Sequence, residues 1–232
     1  MNRLEKLILK TLNYFDDQQR PLILEEVWRF LYKLKVTRVK VLITLQKLAD
    51  QGEIKYLEPY YYLEQKTFNK HLQNQESYQN KIKKANFYIN LLKNLPFVRV
   101  ILITNALKLE NKQNSNVELL IVGQRKRLKL VKVLTEIALD LLGQKKNRWY
   151  KKDKIEIKYL ISEDVLKTTR KDLKEYELAI WIGQFIPCFD KGFYQKLIQA
   201  NNIEKKLPNY QAQNIKINRE KAGIIEKFLK NI

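Results

Sequence analysis

Apolar residues first recur at helical intervals, with Leu4, Leu7, Ile8, Leu12 and Phe15 on one face and Asp16-Asp17 closing the run. Pro21-Leu22-Ile23-Leu24 reads as a short extended piece. A second helix over 25–33 places Val27, Phe30 and Leu31 together. Thr37 is a suitable N-cap for a third helix, which turns Val41, Leu42, Leu45 and Leu48 inward and stops at Gly52. Residues 53–57 and 60–63 then read as two strands around Glu58-Pro59.

A long basic helix follows over 66–96, with Tyr78, Ile82, Ala85, Tyr88, Ile89 and Leu92 as its apolar stripe and Leu95-Pro96 at its end. Its lysines 81, 83 and 84 read as a solvated face that could also track a polyanion. Beyond it the period changes. Residues 98–104 and 117–122 are short, nearly continuous apolar strands of the buried kind. A helix carrying Leu128, Val131, Leu134, Ile137, Leu141 and Leu142 separates the second strand from a third over 155–161. Helices are expected over 165–178, 193–201 and 218–230. The fold class is therefore α/β (α+β) with a short mixed sheet. The division is 1–65, a connecting helix 66–96, a second domain 97–210 and a C-terminal helix 211–232. No glycine-rich phosphate loop of the Walker or dinucleotide type occurs.

Helix, strand, helix, helix, hairpin is an order that resembles the winged helix-turn-helix family. The resemblance makes 37–51 the recognition helix, with Arg38, Lys40, Thr44 and Lys47 outward and Lys55 and the wing tyrosines flanking a groove. Winged helices also serve as protein-contact modules. Residues 1–65 carry 11 basic against 9 acidic groups, a weak excess for a DNA reader. Both readings stand, and the triple tyrosine fits wing packing better than base stacking.

Charge sharpens the partner class. The 232-residue chain carries a net +20, most of it beyond residue 65. Such a field favours polyanions, nucleic acid first and an anionic membrane surface second. A lysine-rich compositional bias with solvated side chains is the alternative. The single cysteine, Cys188, excludes an intramolecular disulfide, and the single histidine, His71, excludes a Cys/His zinc site. Cys188 reads as a core thiol and His71, in a polar stretch, as exposed. The start Met1-Asn2-Arg3-Leu4-Glu5-Lys6 is charged at once, and no apolar run spans a membrane. A cytoplasmic protein is expected.

Candidate chemistry sits between the two apolar strands. Phe97-Val98-Arg99-Val100-Ile101-Leu102-Ile103-Thr104-Asn105-Ala106-Leu107, then Asn114-Ser115-Asn116-Val117-Glu118-Leu119-Leu120-Ile121-Val122, resembles the minimal nucleotidyltransferase motif of the polymerase-β superfamily. That motif is a strand ending in Gly-Ser, a helix turn, then Ser-Asp-x-Asp opening the next strand. The chain also resembles bacterial proteins that pair an N-terminal winged helix with such a domain. Asp153-Lys154-Ile155, Leu160-Ile161-Ser162-Glu163-Asp164, and Phe193-Tyr194-Gln195-Lys196 through Leu207-Pro208-Asn209 fit their later segments. The likeness spans roughly residues 1–210 and is strongest over 97–209.

In that family, as the resemblance implies, glycine and serine hold a triphosphate and three carboxylates hold two Mg²⁺. The correspondence places Asn105 at the glycine, Ala106 at the serine, Asn116 at the first aspartate and Glu118 at the second. Lys108 stands at a small-residue position, and Glu156 is the nearest substitute for the third carboxylate. Thr104, Asn105 and Lys108 could still hold a phosphate without metal, or the pocket could be filled and structural. No resident cofactor is expected, and Mg²⁺ enters only if Glu118, Glu156 and Asn116 remain active.

Two basic groups complete the candidates. Arg125, Lys126, Arg127 and Lys129, with Lys132, open the helix after the second strand. Lys145, Lys146, Arg148, Trp149, Lys151 and Lys152 interleave charge with aromatics, a combination suited to RNA or single strands. A solvated loop with Trp149 on the core is the alternative. Glu163-Asp164 fits a helix N-terminus better than a catalytic pair. The C-terminal helix, with Ile224, Ile225, Phe228, Leu229 and Ile232, would pack on a domain or a protein partner. The expected function is a non-catalytic nucleic-acid-binding protein, DNA or RNA. An active Mg²⁺-dependent nucleotidyltransferase and a structural subunit of a larger assembly are the alternatives.

Overall fold

Asn2 starts the first helix through a reciprocal cap. Its side chain accepts from the Glu5 amide at 3.0 Å, while Glu5 Oε2 accepts from the Asn2 amide at 2.7 Å. The computed structural model, which describes residues 1–104, 117–142, 155–161 and 173–210, continues this element as α1 (Arg3–Asp16). β1 (Leu22–Ile23), α2 (Leu24–Arg29), α3 (Arg38–Asp50), β2 (Lys55–Leu57) and β3 (Tyr60–Tyr62) follow in that order. The three strands form an antiparallel sheet in the order β1-β3-β2, with Tyr61 opposite both Leu22 and Tyr56.

α2 ends sooner than the apolar spacing predicts. The chain leaves the helix after Arg29, and Lys33 takes a left-handed φ of 52°. Trp28 Nε1 donates to the Val36 carbonyl at 2.7 Å, which folds the following loop back over the helix. Val27, Phe30 and Leu31 are nevertheless all buried.

α4 (Gln65–Leu92) buries Ile82, Ala85, Tyr88, Ile89 and Leu92. Two expectations fail on it. Lys81 is buried rather than part of a solvated face, whereas Lys83 is exposed. His71 is buried too, because it meets the Tyr60 ring edge-on at 4.9 Å. Helix phase explains both, since each lies on the side that turns inward.

The second sheet has the order β6-β5-β4-β7. β4 (Val98–Ile103) pairs antiparallel with β5 (Val117–Gly123) and with β7 (Ile186–Asp190). β6 (Ile155–Ile161) lies parallel to β5, and α5 (Leu128–Leu142) lies between these two strands in the chain as a parallel pair requires. β7 was not expected, because Pro187 interrupts its pattern. A proline that cannot donate is tolerated there because β7 is an edge strand. On α5, Val131, Thr135 and Leu139 face inward, while Ile137 of the expected stripe is exposed.

α6 (Glu175–Gly183), α7 (Tyr194–Ala200) and α8 (Ile203–Lys206) complete the described chain. α6 starts at Glu175, where Lys174 is its extended cap and donates its amide to Glu177 at 3.0 Å, and most of the helix expected over 165–178 falls before the described residues resume at 173. Residues 162–172 and the expected helix over 218–230 lie outside the described residues. The result is a mixed α/β chain with two small sheets.

Alternation along the strands divides the second sheet between two cores. Ile101, Ile103, Val117, Leu119 and Ile121 pack with α4 and with Val131 and Leu139 of α5. Val100, Leu102, Leu120 and Val122 join a larger core shared with α6, α7, α8 and the first 61 residues. Asn209 fastens this union. Its Nδ2 donates to the carbonyls of Trp28 at 2.9 Å and Leu34 at 3.0 Å, and its Oδ1 accepts from the Val36 amide at 3.2 Å. Among the described residues no helix is long and apolar enough to cross a membrane.

Candidate functional site

The strands expected to carry the site are neighbours, with Ile103 opposite Leu119 and Leu102 opposite Leu120. Thr104 follows the last residue of β4 and is buried. Its amide donates to the Glu118 carbonyl at 3.1 Å, and its hydroxyl donates to Glu118 Oε2 at 3.1 Å. β6 adds a third strand, with Glu156 in backbone register with Glu118 and Lys158 with Leu120. Thr104, Glu118 and the Glu156 backbone therefore meet at one end of the sheet. Asn105, Ala106, Lys108 and Asn116 lie outside the described residues, as does the Glu156 side chain.

Lys158 alters the chemistry of this group. Its ammonium lies 3.2 Å from Glu118 Oε2, on the oxygen that also accepts from Thr104. Both ends of the pair are partly exposed, so its net contribution to stability is about 0–1 kcal/mol. Its effect on ligand binding is larger in kind. A magnesium ion wants anionic oxygen and keeps its water unless carboxylates replace it, whereas here a resident cation already occupies the carboxylate. Among the described residues no group of three or more His, Cys, Asp or Glu could hold a metal ion.

Sequence reasoning missed Lys158, although a signal was present. Positions two apart on a strand share a face, so the argument that nominates Glu156 nominates Lys158 as well.

The cations expected on α3 are partly committed elsewhere. Arg38 Nε lies 2.8 Å from Glu25 Oε2, with its guanidinium over the Trp28 ring at 5.9 Å. Lys47 Nζ lies 2.7 Å from Glu5 Oε1. Thr44, expected outward, is buried beside Val41, Leu45 and Leu48, and its hydroxyl donates to the Lys40 carbonyl at 2.7 Å. Lys40 and Lys55 are exposed. Val39 and Ile43, 65% and 60% exposed, share the outer face of α3 with its cations. The wing tyrosines Tyr61 and Tyr62 are both buried, as wing packing predicts. Tyr62 stacks on Phe68 with centroids 5.3 Å apart.

The basic cluster after β5 starts with a single 3-10 turn, Arg125–Arg127. Lys126, Arg127 and Lys129 are exposed. Lys145, Lys146, Arg148, Trp149, Lys151 and Lys152 lie outside the described residues. The Cys188 thiol is pushed up to about 12 by burial, which makes it a poor nucleophile. Compared with family models, curated proteins and solved structures, the chain matches none.

Proposed function

We propose that this chain is a non-catalytic nucleic-acid-binding protein, with a winged-helix module joined to a degenerate nucleotidyltransferase-like domain. The Glu118–Lys158 contact carries the reading away from group transfer. The carboxylate that the motif would present to a metal is engaged by an ammonium at 3.2 Å. The ligand class rests on the net charge of +20, which makes polyanions the partners of longest electrostatic reach. The scaffold reading is supported by the antiparallel contact of β4 with β5 and by the strand order β1-β3-β2 beside α3. DNA and RNA both satisfy this argument.

The test has two arms. Nucleotide incorporation into RNA, DNA or protein is measured with Mg²⁺ or Mn²⁺, for the wild type and for Glu118→Gln. Oligonucleotide binding is titrated alongside as a function of salt. Binding that falls steeply with salt, without turnover, is the expected result. Turnover abolished by Glu118→Gln would replace this reading with that of an active transferase.

A specific observation favours a protein-contact role for the first module. A helix that reads bases presents polar or cationic side chains, whereas α3 presents Val39 and Ile43 with much of its basic charge paired. Under this second reading the Lys40→Glu, Lys55→Glu variant keeps its oligonucleotide affinity. A large loss of affinity would return α3 to the nucleic-acid face.

A further inference from the structure

The end of the second sheet away from Glu118 joins Lys126 and Arg127 of the expected basic cluster to two cations that the cluster did not include, Arg99 and Lys191. β4 begins there, β5 ends at Gly123 and β7 ends at Asp190. Backbone hydrogen bonds lock the segments together. The Gln124 amide donates to the Phe97 carbonyl at 3.2 Å, the Lys191 amide to the Arg99 carbonyl at 2.9 Å, and the Arg127 amide to the Gln124 carbonyl at 2.9 Å. Adjacent strands lie about 4.8 Å apart, so Arg99, Lys126, Arg127 and Lys191 share a surface on the order of 15 Å across. All four are exposed, and among the described residues none has an acidic partner. The nearby Asp190 is committed, because its Oδ1 accepts from the amides of Phe193 at 2.7 Å and Tyr194 at 3.1 Å.

Two rings sit among these charges. Phe97 and Phe189 are half-buried at the edge of the core beneath α4 and α5. The Arg127 guanidinium lies 5.4 Å from the Phe97 centroid, and Lys191 Nζ lies 5.4 Å from that of Phe189. Phe97 also holds a left-handed φ of 67°, a conformation rare for a bulky side chain. The sheet thus keeps an aromatic residue in a costly conformation beside exposed cations that have no ion-pair partner among the described residues.

Cations set over half-buried rings suit a ligand that offers both phosphates and unstacked bases. A duplex supplies the phosphates but keeps its base faces covered. We propose that this end of the sheet binds single-stranded nucleic acid, with Arg99, Lys126, Arg127 and Lys191 at phosphates and Phe97 and Phe189 against bases. The proposal rests on the nucleic-acid reading above and narrows it to a place and a strand state.

The test uses the full chain and a fluorescently labelled oligouridine strand titrated across a range of salt. Arg99→Ala combined with Lys191→Ala removes two phosphate contacts and should weaken binding about tenfold at moderate salt. It should also reduce the magnitude of the salt slope by roughly 1.4. Lys35→Ala with Lys205→Ala, exposed lysines elsewhere, should bind as the wild type does. Phe189→Leu keeps apolar bulk but removes the ring, and should cost about fivefold with an unchanged slope. An unlabelled duplex of equal length should compete less well than the single strand. Wild-type binding that Arg99→Ala with Lys191→Ala leaves untouched overturns this surface while the broader reading stands. Equal competition by duplex, together with wild-type affinity in Phe189→Leu, overturns the single-strand assignment. A wild-type chain that binds no oligonucleotide at low salt overturns both the surface and the broader reading.

Discussion

Lys158 Nζ lies 3.2 Å from Glu118 Oε2, and Thr104 Oγ1 donates to the same oxygen at 3.1 Å. A lysine and a threonine thus occupy the carboxylate that the nucleotidyltransferase resemblance assigns to metal. Lys158→Ala should lower stability by no more than about 1 kcal/mol, since the pair is partly solvated. It should not confer nucleotide incorporation with Mg²⁺, because a second carboxylate is still required. Urea denaturation and a transfer assay measure the two effects. Turnover gained on removing this one side chain would mean that the lysine alone held back a working site.

Asn209 should be among the costliest polar residues to lose. It is buried, it donates to the Trp28 and Leu34 carbonyls, and it accepts from the Val36 amide. Asn209→Ala leaves those backbone groups without their partner and should destabilise the chain by about 2–4 kcal/mol. Equilibrium denaturation of the full chain tests this. A loss below about 0.5 kcal/mol would indicate that water satisfies the loop as well as asparagine does.

Glu5 should link stability to acid. The hydrogen bond from Lys47, followed by that from the Asn2 amide, holds its carboxyl below the usual carboxylate range. A lowered folded-state pKa means that the unfolded chain binds the proton more readily near pH ~4. The contribution is therefore complete above the unfolded value, and is lost as pH falls through the folded one. Lys47→Ala should raise the folded value, weaken the protein at neutral pH and shrink the acid-induced loss. Denaturation curves collected from neutral pH downward provide the comparison. Parallel acid limbs in wild type and variant would remove Lys47 from the account.

Gly183 should tolerate no branched side chain. It ends α6, where a Cβ would stand 3.1 Å from Leu207 Cδ1 and 3.3 Å from Phe30 Cε1, and both neighbours are buried. Gly183→Val forces atoms into that contact and should destabilise by about 1–3 kcal/mol. Thermal melting would register the loss as a clear downward shift, and an unchanged midpoint would mean that Phe30 and Leu207 can move apart.

Much of the element order could be read along the chain. Leu4, Ile8, Leu12 and Phe15 do form one buried stripe, and the apolar strands around Ile101 and Ile121 do pair. Both results follow from local periodicity, which the residues carry wherever they are placed. β7 was illegible because Pro187 argues against a strand unless it is known to be an edge, and an edge exists only once the sheet is assembled. Thr44 was misjudged because a few tens of degrees of helix phase decide between core and solvent.

What the residues alone determined was the excess of positive charge and the alternation of helix and strand. Tertiary structure decided where each charge is spent. Arg38 and Lys47 pair with Glu25 and Glu5, whereas Arg99 and Lys191, far apart in sequence, come together as exposed neighbours. The reason is physical. Periodicity is a property of successive residues, but an ion pair or a ligand surface depends on distances that only the folded chain brings within reach.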